Sequence, residues 1–164
     1  MSDRDQDESY RQMVNTNLGR LTAIAKSYAE RESHEDLLQE ILYQLWRSFP
    51  SFNGRSKLDT WVYKVALNTA ITGLRRAQSR PRLVTNADES VAEPISGDEI
   101  PSDVADVFET FLRDLNKVDR AILILYLDDR SYQEIADITG HNSNAVGVRL
   151  NRIKARFRQQ HVEA

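Results

Sequence analysis

The stretch from Ser79 to Asp103, SRPRLVTNADESVAEPISGDEIPSD, constrains the fold of this chain more than any other feature. It shows neither the period of a helix nor the alternation of a strand, and it holds three of the four prolines and a cluster of acids. Such a composition is typical of a solvated, flexible linker. We therefore predict two small domains, residues 1–78 and 104–164, joined by a flexible acidic linker at 79–103.

The first domain has the apolar spacing of helices. One stripe recurs at intervals of three and four residues along Tyr10, Val14, Leu18, Leu21, Ala25 and Tyr28. A second helix is predicted to begin at a capping box, Ser33 to Asp36, in which a serine side chain satisfies a free backbone amide. A third is predicted to open at Ser56 to Asp59, and its inner side consists of Leu58, Trp61, Val62, Val65, Ala66 and Thr69.

The capping and turn residues of the second domain predict that it is helical. Asn116 can cap one helix, and Ser131 to Glu134 forms another capping box. Gly140 can adopt the positive φ of a tight turn, and Asn142 or Ser143 can cap the helix that follows. No segment shows strand alternation bounded by turn residues, so the predicted fold class is all-α.

Charge is distributed unevenly along the chain. The net charge of -3 argues against strong nonspecific DNA binding by the whole chain, because affinity for duplex DNA depends on basic groups that displace counterions. Between Arg55 and Arg82, however, only one acid accompanies a series of basic side chains, and the last helix adds a second basic cluster. Two basic patches on an acidic background indicate a protein that meets DNA at two places with the help of another partner.

Residues Ser131 to Lys154 have the layout of a helix-turn-helix. The predicted second helix buries Val146, Leu150, Ile153 and Phe157. Its other side carries Asn144, Gly147, Val148, Asn151, Arg152 and Arg156. Such a helix can enter a major groove while its basic groups reach the flanking phosphates. An ordinary three-helix core with a basic, solvated end has the same spacing, so both interpretations stay open at this point.

Catalytic and membrane-inserted classes receive no support from the sequence. The chain has no cysteine, its three histidines are scattered, and it has neither a glycine-rich phosphate loop nor a nucleophile motif. We therefore expect no enzyme activity, no metal and no cofactor. The acidic amino terminus lacks the features of a signal peptide, and no apolar run approaches the roughly 20 residues that span a bilayer. The expected location is the cytoplasm, without membrane insertion.

Two segments resemble one known family. SYQEIADITGHNSNAVGVRLNRIKARF, residues 131–157, resembles region 4 of the extracytoplasmic-function (group 4) sigma factors of bacterial RNA polymerase. HEDLLQEILYQLWRSFPSFNGRSKLDTWVYKVALNTAITGLRR, residues 34–76, is similar to region 2 of that family, and the two occur in the family's order. The resemblance implies an alternative sigma factor that binds core RNA polymerase and directs promoter-specific transcription initiation. Region 2 would read and open the −10 element, and region 4 would read the −35 element.

The resemblance also implies partners and residue roles. The partners are core RNA polymerase, through its β′ clamp helices and β flap, promoter DNA, and an anti-sigma factor. The implied polymerase-docking residues are Asp36, Leu37, Gln39, Glu40 and Trp46. The implied −10 residues, on a loop that would receive a flipped base and on the next helix, are Asn53, Arg55, Ser56, Lys57, Trp61, Lys64, Asn68, Thr72, Arg75 and Arg76. The implied −35 residues are Ser143, Asn144, Val148, Arg149, Asn151, Arg152 and Arg156.

Some of these roles have alternatives. Leu37, Trp46 and Trp61 can also be core residues, and Tyr63 is a further candidate to stack on a base. Where the family often has a basic residue and then a serine, this chain has Gly147 and Val148, so we expect a −35 surface that is less basic than usual. Two other classes remain: a stand-alone helix-turn-helix transcriptional regulator that binds duplex DNA by itself, and a helical adaptor that has lost DNA binding.

Overall fold

The computed structural model describes residues 2–30, 33–79 and 102–162, and within these ranges its regular structure is entirely helical. The helices are α1 Asp3–Tyr28, α2 His34–Ser48, α3 Leu58–Ser79, α4 Ser102–Asp114, α5 Lys117–Leu127, α6 Tyr132–Thr139 and α7 Ser143–His161. A short 3-10 turn, Phe49–Ser51, follows α2. The predicted all-α class is confirmed for the described residues. Of the predicted linker, residues 80–101 lie outside the described residues, whereas Ser79 ends α3 and Ser102 begins α4.

Most helices begin where the sequence predicts a cap. The side chains of Ser33, Asn116 and Asn142 each accept a hydrogen bond from a backbone amide in the first turn of α2, α5 and α7. Ser131 and Glu134 form a complete capping box at the start of α6. The turn between α6 and α7 passes through Gly140 at φ +77°, as its position predicts.

The start of α3 differs from the prediction. The helix begins at Leu58 and directly follows Lys57, so Ser56 lies one residue outside the capping position. Asp59 is also not engaged as a capping-box acid: its carboxylate lies 3.5 Å from Nη1 of Arg20 and 3.6 Å from Nη1 of Arg130. An S-x-x-D pattern alone could not distinguish a cap from a carboxylate used in long-range ion pairs.

The buried stripe of α1 differs from the predicted one, because it includes a polar residue in place of an apolar one. Asn17 is buried, and its side-chain amide donates to the carbonyl of Met13 at 2.9 Å and accepts from Arg20 at 3.2 Å. Leu18, which the sequence assigned to the stripe, is 43% exposed. The satisfied hydrogen bonds of Asn17 make its burial possible, because a buried amide without partners is costly.

The core around α3 is wider than predicted. Tyr63 and Leu67 are buried along with Val62, Ala66 and Ala70. Helix α3 packs against α1 and α2 and also against α6, so side chains on more than one of its sides are buried. A single apolar stripe could not predict this second contact, since it depends on residues about 70 positions later in the chain.

Arg120 organises the carboxy-terminal helices. This buried side chain donates to the carbonyls of Leu112, Arg113 and Leu115, at the end of α4 and just beyond it, and to the carbonyl of Ser27 in α1. The last carbonyls of a helix lack the amides of a following turn, and the guanidinium donates to carbonyls at two such helix ends; that of Leu112 also accepts from the backbone amide of Leu115 at 3.3 Å. Arg120 therefore holds the end of α4 and the end of α1 against α5.

Two classes of feature are absent from the described part of the chain. None of its helices combines the length and the apolar character needed to cross a membrane. Residues 2–30, 33–79 and 102–162 also contain no group of three or more histidine, aspartate or glutamate side chains that could hold a metal ion.

Candidate docking and nucleic-acid interfaces

One face of α2 is exposed and combines acidic, amide and aromatic side chains. Asp36, Gln39, Tyr43 and Trp46 follow one another at helical intervals and are all exposed, and we call this set the α2 face. Trp46 is 56% exposed and Tyr43 is 51% exposed. Two large aromatic side chains left in solvent on one helix are typical of a protein-binding surface. The sequence analysis missed Tyr43, although its spacing to Gln39 and Trp46 could have identified it.

Two other residues of the predicted docking set have different surroundings. Leu37 is 1% exposed and packs in the core with Ile41 and Leu45. Of the two roles left open for Leu37, this burial favours the core, since a partner cannot reach the side chain while α2 stays packed. Glu40 is half-buried and accepts a hydrogen bond from the amide of Gln44 at 2.9 Å, so it lies at the edge of the α2 face.

The loop before α3 is exposed and basic. Gly54 adopts φ +74°, and the side-chain oxygen of Asn53 accepts a hydrogen bond from the amide of Arg55 at 3.1 Å. The side chains of Asn53, Arg55 and Lys57 are exposed, and Ser56 is half-buried. Glycine suits this position, because a residue with a Cβ would be strained at a positive φ. The predicted loop residues thus lie together in one largely exposed loop.

Trp61 packs in an aromatic cluster beside this loop. Its half-buried ring lies 6.1 Å from the ring of Phe49 and 5.4 Å from that of Phe52, between centroids. Phe49 in turn lies 5.8 Å from the ring of Tyr10 in an edge-to-face arrangement. Such tilted and edge contacts between aromatic rings stabilise a packed cluster. Of the two open roles for Trp61, this packing favours the core.

The base-stacking role considered for Tyr63 does not fit the structure. Its side chain is buried, and its hydroxyl donates a hydrogen bond to the carboxylate of Asp128. Burial and this hydrogen bond both raise the pKa of the Tyr63 phenol. A buried ring that is tied to the loop after α5 has no free face for a base, so this arrangement argues against the stacking role.

The remaining −10 candidates lie along α3. Lys64 and Asn68 are exposed, and Thr72 is half-buried. Lys64 and Asn68 line one side of a groove whose other side is formed by Val118, Ala121, Ile138 and Thr139. Arg75 and Arg76 belong to α3, but their side chains lie outside the described part of the structure.

Helix α7 presents a polar row to solvent. The exposed members of the predicted −35 set are Asn144, Val148, Asn151, Arg152 and Arg156, and Ser143 is half-buried. Arg149 is directed elsewhere: its Nη1 lies 2.6 Å from Oδ1 of Asp119, at the start of α5. The row can reach a groove and phosphates as a helix-turn-helix requires, whereas Arg149 in this structure is engaged by a carboxylate.

Gly147 has a packing role. A Cβ built at this position would lie 3.3 Å from Cε2 of Tyr132 on α6. The missing side chain thus leaves room for a tyrosine ring between the two helices of the motif.

Known proteins resemble this chain in two segments. Residues 13–80 match Sigma-70 region 2, and residues 105–157 match Sigma-70, region 4. The ECF RNA polymerase sigma factor SigG of Mycobacterium tuberculosis is 30% identical over 75% of this chain and 40% of SigG. This chain thus spans less than half of the SigG sequence. The RNA polymerase sigma factor SigV of Bacillus subtilis is 28% identical, over 79% of this chain and 76% of SigV.

A solved structure shows the same fold. The sigma factor RpoE of Bartonella quintana, in complex with the anti-sigma factor NepR, superposes with a TM-score of 0.70 at 23% identity, over 93% of this chain and 96% of RpoE. The matched regions occur in the same order as the segments that resemble region 2 and region 4 in the sequence, and together they include α2, α3, α6 and most of α7. The chain therefore belongs to the extracytoplasmic-function group of the sigma-70 family.

Proposed function

We propose that this chain is an alternative sigma factor, which binds core RNA polymerase and directs it to a specific set of promoters. The α2 face docks on the clamp helices of the β′ subunit. The loop around Gly54 and the outer side of α3 read and open the −10 element, and the polar row of α7 reads the −35 element. Region 4 also meets the β flap, which holds it near the upstream DNA.

The exposed aromatic pair on α2 carries this proposal. Tyr43 and Trp46 are each more than half exposed on a helix whose other side is core, and exposed apolar side chains of this size are costly to leave in water without a use. Asp36 at the start of the same face adds a negative charge that a basic partner can pair. A face of this composition suits a protein partner better than DNA, since phosphates would repel Asp36.

Promoter opening follows from the exposed loop. Unstacking a base step costs a few kcal/mol, and holding an extruded base in a protein site offsets part of that cost. Asn53 offers an amide for a base edge, while Arg55 and Lys57 offer positive charge to the neighbouring phosphates. The chain would thus contribute binding energy to strand separation, and polymerase would perform the bond chemistry.

Two weak DNA contacts become one strong contact when polymerase fixes both. Once the first site is bound, the second binds at an effective concentration set by the connection between them. This explains how a chain with a net charge of -3 can act at promoters without strong DNA affinity of its own.

We extend the proposal to the cytoplasm as the place of action, because transcription takes place there in bacteria. We propose no catalytic activity for the chain itself.

Polymerase binding tests the docking assignment. Asp36→Lys and Trp46→Ala should each weaken the binding of the purified chain to core polymerase at least tenfold, measured by fluorescence anisotropy. Glu8→Lys and Leu18→Ala are matched controls, because they change an exposed acid and an exposed apolar side chain on α1. If the controls weaken binding as much as the α2 variants, or if the wild-type chain does not bind core polymerase, the proposal fails.

The alternative of a stand-alone regulator is tested without polymerase. Run-off transcription on genomic fragments with core polymerase identifies a promoter, and a gel shift on that promoter measures DNA binding by the chain alone. A sigma factor should give transcripts with polymerase and no tight, specific shift without it. Tight and specific duplex binding by the chain alone would favour the regulator, although that class leaves the match of residues 13–80 to region 2 unexplained.

An anti-sigma partner is part of the proposal. The RpoE structure is a complex with the anti-sigma factor NepR, and the α2 face of this chain offers exposed apolar surface that an inhibitor could cover. Isolation of the tagged chain from its host should yield a stoichiometric protein whose addition blocks run-off transcription. Recovery of the chain with polymerase alone under all growth conditions would contradict this part of the proposal.

A further inference from the structure

We propose that Val148 of helix α7 reads the methyl group of a thymine in the −35 element, and that the chain therefore prefers promoters with a thymine at that position. This inference rests on the proposed function and deepens it, because it assigns one base to one side chain of the surface that reads the −35 element. Val148 would then be a residue that determines promoter specificity without any hydrogen bond.

Val148 lies at the centre of the outer side of α7. At about 100° per residue, it is nearly opposite the buried line of Val146, Leu150 and Ile153. Its side chain is 50% exposed, and no other large apolar side chain of α7, every residue of which the structure describes, is exposed to that degree. It is the sixth residue of α7, in the amino-terminal part that contacts base edges in a helix-turn-helix.

The immediate neighbours of Val148 leave it free to approach a groove. Gly147 has no side chain, and on that side the ring of Tyr132 packs against α7. On the other side, Arg149 is held by Asp119, with 2.6 Å between Nη1 and Oδ1. A valine side chain is short, so it contacts a base only where its helix comes close to the base edges. Neither neighbour projects beyond Val148 to keep the helix away.

The surroundings of Val148 suit DNA better than a protein partner. Asn144 and Arg152 lie one turn away in either direction, Asn151 lies beside them, and all three are exposed. Helix α7 contains no aspartate or glutamate, so none of its own residues repels phosphates. The amides can pair with base edges, and the guanidinium can pair with a base or a phosphate. An apolar side chain in the middle of such a row faces the bases.

Thymine is the base that an exposed valine favours. It alone presents a methyl group in the major groove, whereas the other bases present hydrogen-bond donors and acceptors there. A valine placed against those polar edges would remove water from them and offer no hydrogen bond in return, which is unfavourable. Contact with a thymine methyl removes apolar surface of both partners from water. Burial of one group of this size changes affinity about fourfold.

The spacing of the outer row limits where the thymine can lie. Asn144 and Asn151 are seven residues apart, which is about 10 Å at 1.5 Å per residue. A helix that follows the major groove thus spans about three base-pair steps between these two amides. Val148 lies between them, so it reaches one base pair or two adjacent ones. We therefore expect the effect of the methyl group to be confined to one or two adjacent positions.

Replacement of thymine by deoxyuridine tests this contact, because it removes the methyl group and keeps the base pair. Run-off transcription with core polymerase first identifies a promoter, and each thymine of its −35 element, in either strand, is then replaced singly. Binding of the holoenzyme to each DNA is measured by fluorescence anisotropy at one salt concentration. The wild-type holoenzyme should lose about threefold to fourfold in affinity at one or two adjacent positions and should not change elsewhere.

Variants of Val148 link this effect to the side chain. Val148→Ala keeps or improves the helix propensity, and Val148→Ser replaces the apolar group by a polar one. Both should bind the thymine and deoxyuridine promoters with equal affinity. Val104→Ala is the matched control, because it shortens another exposed valine, on α4, and should keep the wild-type ratio. Each ratio compares two DNAs with the same protein, so a change in stability or in polymerase affinity cancels.

Several outcomes would overturn the proposal. These are a −35 element without thymine, wild-type binding that no deoxyuridine changes, and discrimination that persists in Val148→Ala. Weaker binding of Val148→Ala to core polymerase in the absence of DNA would assign the side chain to a protein contact instead. Absence of polymerase-dependent transcription would refute the proposed function together with this inference, whereas transcription without discrimination between thymine and deoxyuridine would refute this inference alone.

Discussion

The guanidinium of Arg149, in the helix expected to read DNA, forms an ion pair with the carboxylate of Asp119, in the first turn of α5. The two residues are 30 positions apart, and their charged atoms are 2.6 Å apart. Arg152, one turn further along α7, is exposed. Two arginines that the sequence placed in one functional set thus have different surroundings, and they should respond differently to substitution.

Arg149→Ala should lower the free energy of unfolding by about 1 kcal/mol, because it removes a short, partly buried ion pair. Arg152→Ala should leave stability within about 0.5 kcal/mol of wild type but should weaken promoter binding by the holoenzyme and reduce its salt dependence by about one ion. Urea unfolding and salt-dependent binding to promoter DNA measure the two effects. Equal losses of DNA binding with unchanged stability in both variants would contradict the different roles.

The same substitution should have opposite effects at two glycines of the helix-turn-helix. Gly140→Ala should destabilise the chain by about 1 kcal/mol, because Gly140 has φ +77°. Gly147→Ala should be neutral or stabilise by up to about 1 kcal/mol, because alanine favours the helix and the nearby Tyr132 ring is 40% exposed and can shift. Thermal unfolding of both variants checks the signs. A strong destabilisation by Gly147→Ala would show that Tyr132 cannot move.

Buried tyrosines should make the folded chain sensitive to alkaline pH. Burial raises the pKa of Tyr28 and Tyr63 well above the usual value near 10. Both states hold these protons below pH 10, whereas above it the unfolded chain loses them and the folded chain does not. Stability should therefore be fully present below about pH 10 and fall above it, by about 1.4 kcal/mol per pH unit for each such tyrosine.

Tyr28→Phe should make that decline shallower by the contribution of one proton. Urea unfolding of wild type and Tyr28→Phe between pH 8 and pH 11 measures the difference in slope. Between pH 8 and pH 9 the two curves should run parallel, which serves as the internal control for the lost hydrogen bond to Lys117. Parallel curves up to pH 11 would mean that Tyr28 is not protected from ionisation in the folded chain.

Arg120→Ala should destabilise the chain by about 3 kcal/mol, because four backbone carbonyls lose a hydrogen bond from the guanidinium in a buried or partly buried place. Arg120→Lys should recover only part of this loss, since an ammonium cannot reproduce the planar arrangement of the guanidinium. Arg113→Ala is the control: its ion pair with Glu109 is exposed and should contribute less than about 0.5 kcal/mol. Denaturant unfolding of the three variants tests the order, and a loss for Arg120→Ala no larger than the control would contradict it.

Local signals in the sequence account for much of the fold. Ser33, Asn116, Ser131 and Asn142 were predicted as helix starts because a cap needs only its own first turn, and each acts as one. The burial of the Tyr63 and Leu67 side chains could not be predicted in the same way. Their burial depends on α6, which packs against α3 from far along the chain.

The same limit applies to the candidate interfaces: spacing along one helix could be predicted, whereas burial and contacts between helices could not. Helical spacing brought Asp36, Gln39 and Trp46 to one exposed face, and it placed Asn151 and Arg152 in the outer row of α7. Spacing could not distinguish Leu37 from its exposed neighbours, because a wide apolar front looks the same whether all or part of it is buried. Spacing also could not predict the ion pair between Arg149 and Asp119, because a contact between two helices has no signature in the sequence of either helix.

One apolar cluster includes residues from both halves of the chain, among them Leu21 and Ala66 on one side and Ile122 and Leu150 on the other. Heat should therefore unfold the free protein in a single cooperative transition, although its sequence divides into two family regions. A core substitution in either half should lower the melting temperature of the whole molecule. The residues that couple the two family regions are thus buried side chains outside the α2 face and the outer row of α7.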